Sequence, residues 1–273
     1  MRARRLAVLG GGIALLGACS LVVDTAGLDD AAATGDAASP DARAADDASP
    51  IRDASTGSDA ADAGTPCVDG PSRFCDDFDS PLPGSKWSGT KKKRGEVTFE
   101  NVGVSPPRAM HAKLMAGTGT ASAQLIKELA GNPPSVHCEL DMKLEAIAAT
   151  SETDVVSFIT RVGGVDKHVV YFATFNGVWS LAEYAAAGDG GMPLVDRSVS
   201  LGAALPDATW FHVIMEVTPI TATLAANGAF VTLGSLSTPV GSAHNVQVGV
   251  SYASESVQSG GVFIDNVDCR SLP

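Results

Sequence analysis

Ser135-Val136-His137-Cys138-Glu139-Leu140-Asp141-Met142-Lys143-Leu144-Glu145-Ala146 reads as one long β-strand. Val136, Cys138, Leu140, Met142 and Leu144 fall on one face, and His137, Glu139, Asp141, Lys143 and Glu145 on the other. Period-two alternation over this length marks an antiparallel strand with one face on a core and one in water. A helix would scatter the same residues around its circumference.

Shorter stretches of the same kind lie on both sides. They are Glu96–Val102, Arg108–Met115, Ser122–Leu129, Asp154–Val162, Lys167–Phe175, Val178–Tyr184, Trp210–Thr218, Ile220–Ala225, Ala229–Leu233, Asn245–Tyr252 and Gly261–Cys269. Gly163-Gly164, Asn176-Gly177 and Asn227-Gly228 separate neighbours, and the two Asn-Gly pairs are strong hairpin signals. Gln124–Leu129 also fits a short helix, and no long helix is evident. A run of about a dozen strands from Cys67 to the end predicts one domain of two packed antiparallel sheets or a barrel.

The rest of the chain has another character. The whole has 273 residues, 45% hydrophobic, 18% charged and 5% aromatic, with a net charge of −12. These totals exclude a collagen-like or wholly disordered protein, and a surplus of acid disfavours non-specific nucleic-acid binding. The charge is unevenly spread: +3 over residues 1–18, −8 over 19–66 and −7 over 67–273. From Asp29 to Pro66 the residues are mainly Ala, Asp, Ser, Gly, Thr and Pro, and Ile51 is the one large aliphatic side chain. Without an apolar stripe nothing offsets the entropy of ordering this stretch, so it reads as a disordered tether. As a flexible coil, Ser20–Pro66 would span roughly 40 Å.

Arg2, Arg4 and Arg5 precede an apolar run from Leu6 to Leu16 and the small residues Gly17 and Ala18. That is the layout of an export signal, and the run is too short to span a bilayer. Leu16-Gly17-Ala18-Cys19 resembles the lipobox of bacterial lipoproteins. The resemblance implies a signal peptide over 1–18, cleavage before Cys19, acylation of Cys19 and anchoring in a lipid bilayer. Ser20 in place of Asp then favours the outer membrane. An ordinary signal beside an unmodified cysteine is the alternative.

Setting Cys19 aside leaves Cys67, Cys75, Cys138 and Cys269. An even number in an exported domain implies two disulfides with three possible pairings. Cys67–Cys75, a local loop, with Cys138–Cys269, joining a middle strand to the last, is the favoured set. Free buried thiols are the alternative.

Three stretches carry a second resemblance. They are Phe74-Cys75-Asp76-Asp77-Phe78-Asp79 with Trp87, the strand Trp210–Val217 leading to Asn227-Gly228, and Val262-Phe263-Ile264-Asp265-Asn266-Val267. Together they resemble the concanavalin A-like jelly roll of laminin-G, lectin and glucanase modules, over nearly all of 67–273. The resemblance implies an all-β, two-sheet antiparallel sandwich. Such folds host many activities, so function has to be argued from a site.

Glu139, Asp141 and Glu145 partly resemble the Glu-x-Asp-x-Glu signature of retaining β-glucanases, which would make them catalytic. Lys143 stands where the second catalytic Glu belongs, and Glu145 lies two residues further on. A retaining mechanism needs two carboxyls about 5–5.5 Å apart, so a charged outer face is the competing reading. In similar jelly rolls a structural Ca²⁺ is held by acids of the first and last strands, which nominates Asp77, Asp79 and Asp265. Asp265 shares parity with Phe263, so either it points at apolar neighbours or a bulge at Asp265-Asn266 resets the register.

Trp179, Tyr171 and Tyr184, with His168 nearby, lie on consecutive predicted strands and could present aromatic faces to a glycan. Tyr171 and Trp179 also fit a core, as do Trp87 and Trp210. Lys91-Lys92-Lys93-Arg94 reads as a solvated loop able to touch an anionic polysaccharide. No zinc spacing, nucleophile elbow or phosphate loop accompanies these residues. The expectation is a lipid-anchored sandwich that binds a glycan or a cell-surface protein, with a polysaccharide-cleaving enzyme or a structural envelope protein as alternatives.

Overall fold

The computed structural model describes residues 67–147, 152–186, 193–237, 243–254, 256–257 and 259–272. The expected signal, Cys19 and the tether lie outside the described residues, which all belong to one unit, Ser58–Pro273.

Strands appear where alternation or apolar runs are bounded by turn residues. In chain order they are β1 (Arg73–Asp76), β2 (Gly89–Lys93), β3 (Gly95–Glu100), β4 (Ala109–Leu114), β5 (Gly117–Thr118) and β6 (Ala121–Glu128). There follow β7 (Ser135–Glu145), β8 (Thr153–Val162), β9 (Val165–Phe175), β10 (Val178–Ala186), β11 (Pro193–Ser200) and β12 (Trp210–Val217). The last are β13 (Thr221–Ala226), β14 (Ala229–Gly234), β15 (Ala243–Ala253), β16 (Ser256–Val257) and β17 (Gly260–Leu272). No helix occurs among the described residues.

Eight strands form one sheet in the order β14-β13-β12-β7-β17-β4-β3, with β1 also on β17. Seven form the other, in the order β11-β10-β9-β8-β15-β6-β2. All named pairs are antiparallel. The described residues therefore form an all-β, two-sheet antiparallel sandwich of the expected class. Asn176-Gly177 and Asn227-Gly228 make the β9–β10 and β13–β14 turns, with both residues of each pair at positive φ as a tight right-twisting hairpin requires.

The core lies between the sheets. Val136, Cys138, Leu140, Met142 and Leu144 of β7 pack in one cluster with Phe172 of β9 and Trp179 and Leu181 of β10. Burying each large apolar side chain contributes about 1.5–3 kcal/mol before the entropy of ordering is counted. β7, β12 and β13 alternate buried and more open positions, so the outer face of their sheet is wet. β8 is different: its first eight residues are all buried, so its outward side is covered as well.

Several expectations change. Gln124–Glu128 is strand, not the alternative short helix, because β6 is paired on both sides, by β15 and β2. Lys91, Lys92 and Lys93 belong to β2, an edge strand paired to β6. Charged edge strands resist further pairing, which is why the segment has no apolar face to read. Trp210 is half-buried on the outer face of the eight-stranded sheet, its ring 6.4 Å from that of Phe263 and 5.2 Å from the Lys143 ammonium. Trp87 is a core residue, as expected, and its Nε1–H donates to Asp76 Oδ2 at 2.8 Å.

The register of β17 does shift between Asp265 and Asp268, with Asn266 at φ 50°. Val262 and Ile264 before the bulge, and Val267 and Cys269 after it, all face the core. Both expected disulfides are present, Cys67–Cys75 and Cys138–Cys269. The second joins residues directly opposite each other on β7 and β17.

Candidate functional site

The side chains of the seven-stranded sheet that point away from the core enclose a cleft of about 510 Å³. Its formation follows from parity. In β9 Val170 and Phe172 go inward, leaving Val169, Tyr171 and Ala173 outward; in β10 Leu181 goes inward, leaving Ala182 and Tyr184 outward. Ala182 pairs with Tyr171, and Ala173 pairs with Asp154. Two methyl groups thus lie between larger neighbours, which opens a hollow bounded by the tyrosines.

Polar groups complete the wall. Ser157 of β8 and Ser251 of β15 join their hydroxyls at 2.7 Å, and Gln247 lies across from Ser157. Lys91 reaches in from β2, beside Gln124 of β6. Gln124 is fully buried, and neither of its amide atoms has a partner. The cleft also contains Glu152 and Asp154, at the start of β8. Asp154 is 9% exposed, and its Oδ1 is buried without a partner. Unpartnered buried polar atoms are uncommon and costly, and they concentrate where a ligand or water supplies the missing bond.

Charge in the cleft is unbalanced. Burial first, then the Glu152 charge, holds the Asp154 carboxyl well above the usual range. Burial and then Asp196 raise Glu152, and burial with Asp154, Glu152 and Asp196 raises the Tyr171 hydroxyl. Asp196 sits directly across from Tyr184 on β11. Asp166, also in the wall, is matched by Arg161, whose Nε donates to it at 2.6 Å.

Of the aromatic candidates, the structure brings Tyr171 and Tyr184 together and separates the rest. Trp179 faces the inter-sheet core, its ring 5.0 Å from that of Phe172. His168 is 1% exposed and pairs with buried Glu183, Nε2 to Oε1 at 2.7 Å. Neither lines this cleft. β9 and β10 are buried on both faces over much of their length, so alternation in the sequence could not tell inward from outward.

Glu139, Asp141 and Glu145 lie on the outer face of the other sheet. Glu139 accepts from His137 at 2.8 Å, and Asp141 pairs with His212 at 3.0 Å and accepts from Asn266 at 2.8 Å. Glu145 lies 2.9 Å from His111 Nε2. The Asp141 hydrogen bond, opposed by burial, raises the His212 pKa. These acids form a charged lattice with histidines on the outer face of the sheet.

Asp77, Asp79 and Asp265 do not converge, and no group of three His, Cys, Asp or Glu suited to a metal occurs among the described residues. Asp79 accepts from the Arg108 backbone N–H and Asp77 from that of Asp79. Asp265 is fully buried, and burial pushes it up to about 6 against hydrogen bonds from Ser105 and Asn266. Its partners are donors within the protein.

No protein-family model matches the chain, and no curated protein matches it. Among solved structures, the cellulose induced protein Cip1 is 15% identical with a TM-score of 0.52, the match covering 73% of this chain and 97% of that one. A sialidase is 11% identical with a TM-score of 0.50, over 75% of this chain. The match spans only 19% of the sialidase. These likenesses are of fold.

Proposed function

We propose that the chain is a lipid-anchored protein of the bacterial outer membrane that holds a glycan-binding β-sandwich away from the bilayer on an acidic tether. The observation that carries the binding reading is the cleft over β8, β9 and β10. Tyr171 and Tyr184 border it, while Gln124 beside it and Asp154 within it have buried polar atoms without partners. Sugars present apolar ring faces and dense hydroxyls, and a hollow combining aromatic rings with unmet polar groups complements both. The neighbours named for a sialidase and for induction by cellulose point the same way, as a pointer to ligand class only.

Tyr184 is 37% exposed at the rim, so removing its ring costs the fold little. On a glycan array probed with the detergent-solubilised intact chain, Tyr184→Ala is expected to weaken binding tenfold or more without lowering the unfolding midpoint. Unchanged glycan binding in that variant would remove the cleft from the reading.

The anchoring reading rests on Leu16-Gly17-Ala18-Cys19 behind an arginine-rich head and a short apolar run. Several acyl chains on one residue exceed the two signals that stable anchoring takes. Mass spectrometry of the mature chain is expected to find an acylated Cys19 at its N-terminus, and Cys19→Ala is expected to move the protein out of the membrane fraction. An unmodified N-terminus elsewhere would sink the anchor while leaving the cleft untouched.

A further inference from the structure

Resting on the glycan reading, we infer that the cleft is specific for a sugar bearing a free, protonated amino group, which sits at Glu152 and Asp154. Three features separate this ligand from a neutral glycan.

Firstly, the carboxylates in the cleft are short of cations. Arg161 answers Asp166, but among the described residues no Lys, Arg or His side chain pairs with Glu152, Asp154 or Asp196. Lys91 enters from β2, at the far edge of the sheet from β10 and β11. A hydroxyl donates one hydrogen bond and brings no charge. An ammonium brings a charge and three donors.

Secondly, the unpartnered acceptor is a buried atom. Asp154 lines the cleft, is nine-tenths buried, and has no donor at Oδ1. A buried carboxylate in this position is held either by a proton or by a cation, because an unpaired charge out of water is costly. Burial raises both carboxyls, Asp154 the more, which favours a proton there when no cation is bound. A ligand ammonium displaces that proton and restores the charged pair.

Thirdly, the surroundings suit a cation and not a metal. Tyr171 and Tyr184 supply ring faces that attract ammonium groups. Among the described residues the cleft acids form no group of three His, Cys, Asp or Glu that could hold a metal ion.

The experiment is calorimetric titration of the intact chain, in detergent at mildly acidic pH, with two tetrasaccharides of one backbone, β-1,4-linked glucosamine and its N-acetylated form. The glucosamine oligomer is expected to bind at least tenfold more tightly, with the preference shrinking as salt is raised. Asp154→Asn and, separately, Glu152→Gln are expected to bring the ratio close to one, each checked for an unchanged cooperative unfolding transition. Tyr184→Ala should weaken both oligomers, the glucosamine form the more, since it also loses a ring face for its ammonium. Equal affinities, or tighter binding of the acetylated form, overturn the amine inference and leave the glycan reading standing. If neither oligomer binds while other glycans on the array do, the inference also fails alone. If no glycan binds at all, both fall.

Discussion

Replacing both Cys138 and Cys269 with alanine is expected to lower the stability of the folded domain by about 5 kcal/mol. The bridge spans 131 residues of sequence, so in the unfolded chain it closes a very long loop. Loop-closure entropy grows only logarithmically, yet at this length it reaches the upper end of what a single disulfide supplies. Both sulfurs lie in the inter-sheet core, where alanine leaves a small void that adds to the loss. The Cys67–Cys75 bridge spans only 8 residues, which predicts about 2.5 kcal/mol for the matching pair of substitutions. With total stabilities of about 5–15 kcal/mol, the first pair can bring the domain to the edge of unfolding while the second leaves it folded. Denaturant titrations without reductant measure both losses. If the two pairs prove equally costly, chain entropy is not what the bridges contribute.

That bridge was legible in the sequence because Cys138 sits on the inward side of a strand whose alternation is unbroken from Val136 to Leu144. The bulge at Asp265-Asn266 was legible for a related reason: an acid on the apolar parity of a terminal strand has few other resolutions. The two Asn-Gly turns carry their own backbone chemistry. Signals failed where packing, not parity, decides. β2 is a run of lysines whose strand character comes wholly from pairing to β6. β11 (Pro193–Ser200) was likewise missed, since its pairing to β10 confers its conformation.

The cleft was half legible. Tyr171 and Tyr184 were singled out with Trp179 and His168, but strands covered on both faces do not declare which side chains turn outward. Glu152 and Asp154 were not singled out at all. The faint signal was an acid opening the apolar run Val155–Ile159, where a buried strand has little use for a charge. The neighbours that give Asp154 meaning, Ala173 and Tyr252, lie far away in sequence and reach it only through sheet register. A long-range antiparallel sandwich hides its sites in this way, because each wall of a cleft comes from a different strand.

Glu183→Ala is expected to cost about 3–5 kcal/mol. Its side chain is fully buried and completely bonded. His168 of β9 donates to it at 2.7 Å, Arg197 of β11 donates through Nε at 2.7 Å, and the Ser237 backbone N–H donates at 2.7 Å. Arg197 also donates to the Ser235 carbonyl at 2.7 Å. Ser235 and Ser237 follow β14 of the eight-stranded sheet, so this one carboxylate ties β9, β10 and β11 to a segment leaving the opposite sheet. Truncating it leaves the arginine, the imidazole and a backbone donor without their acceptor, which costs more than the pair contributes on its own. The pH dependence gives a second reading. Burial alone would raise the Glu183 pKa, but the hydrogen bonds from Ser237, His168 and Arg197 outweigh it and hold the group below its ordinary 4.5. A carboxylate depressed in the folded state contributes its stability in full above the unfolded value and loses it as pH falls through the folded one. The stability gap between the natural chain and Glu183→Gln should therefore be widest at neutral pH and close on acidification below about 4.5. A gap that persists unchanged into strong acid would mean that Glu183 acts through its shape rather than its charge.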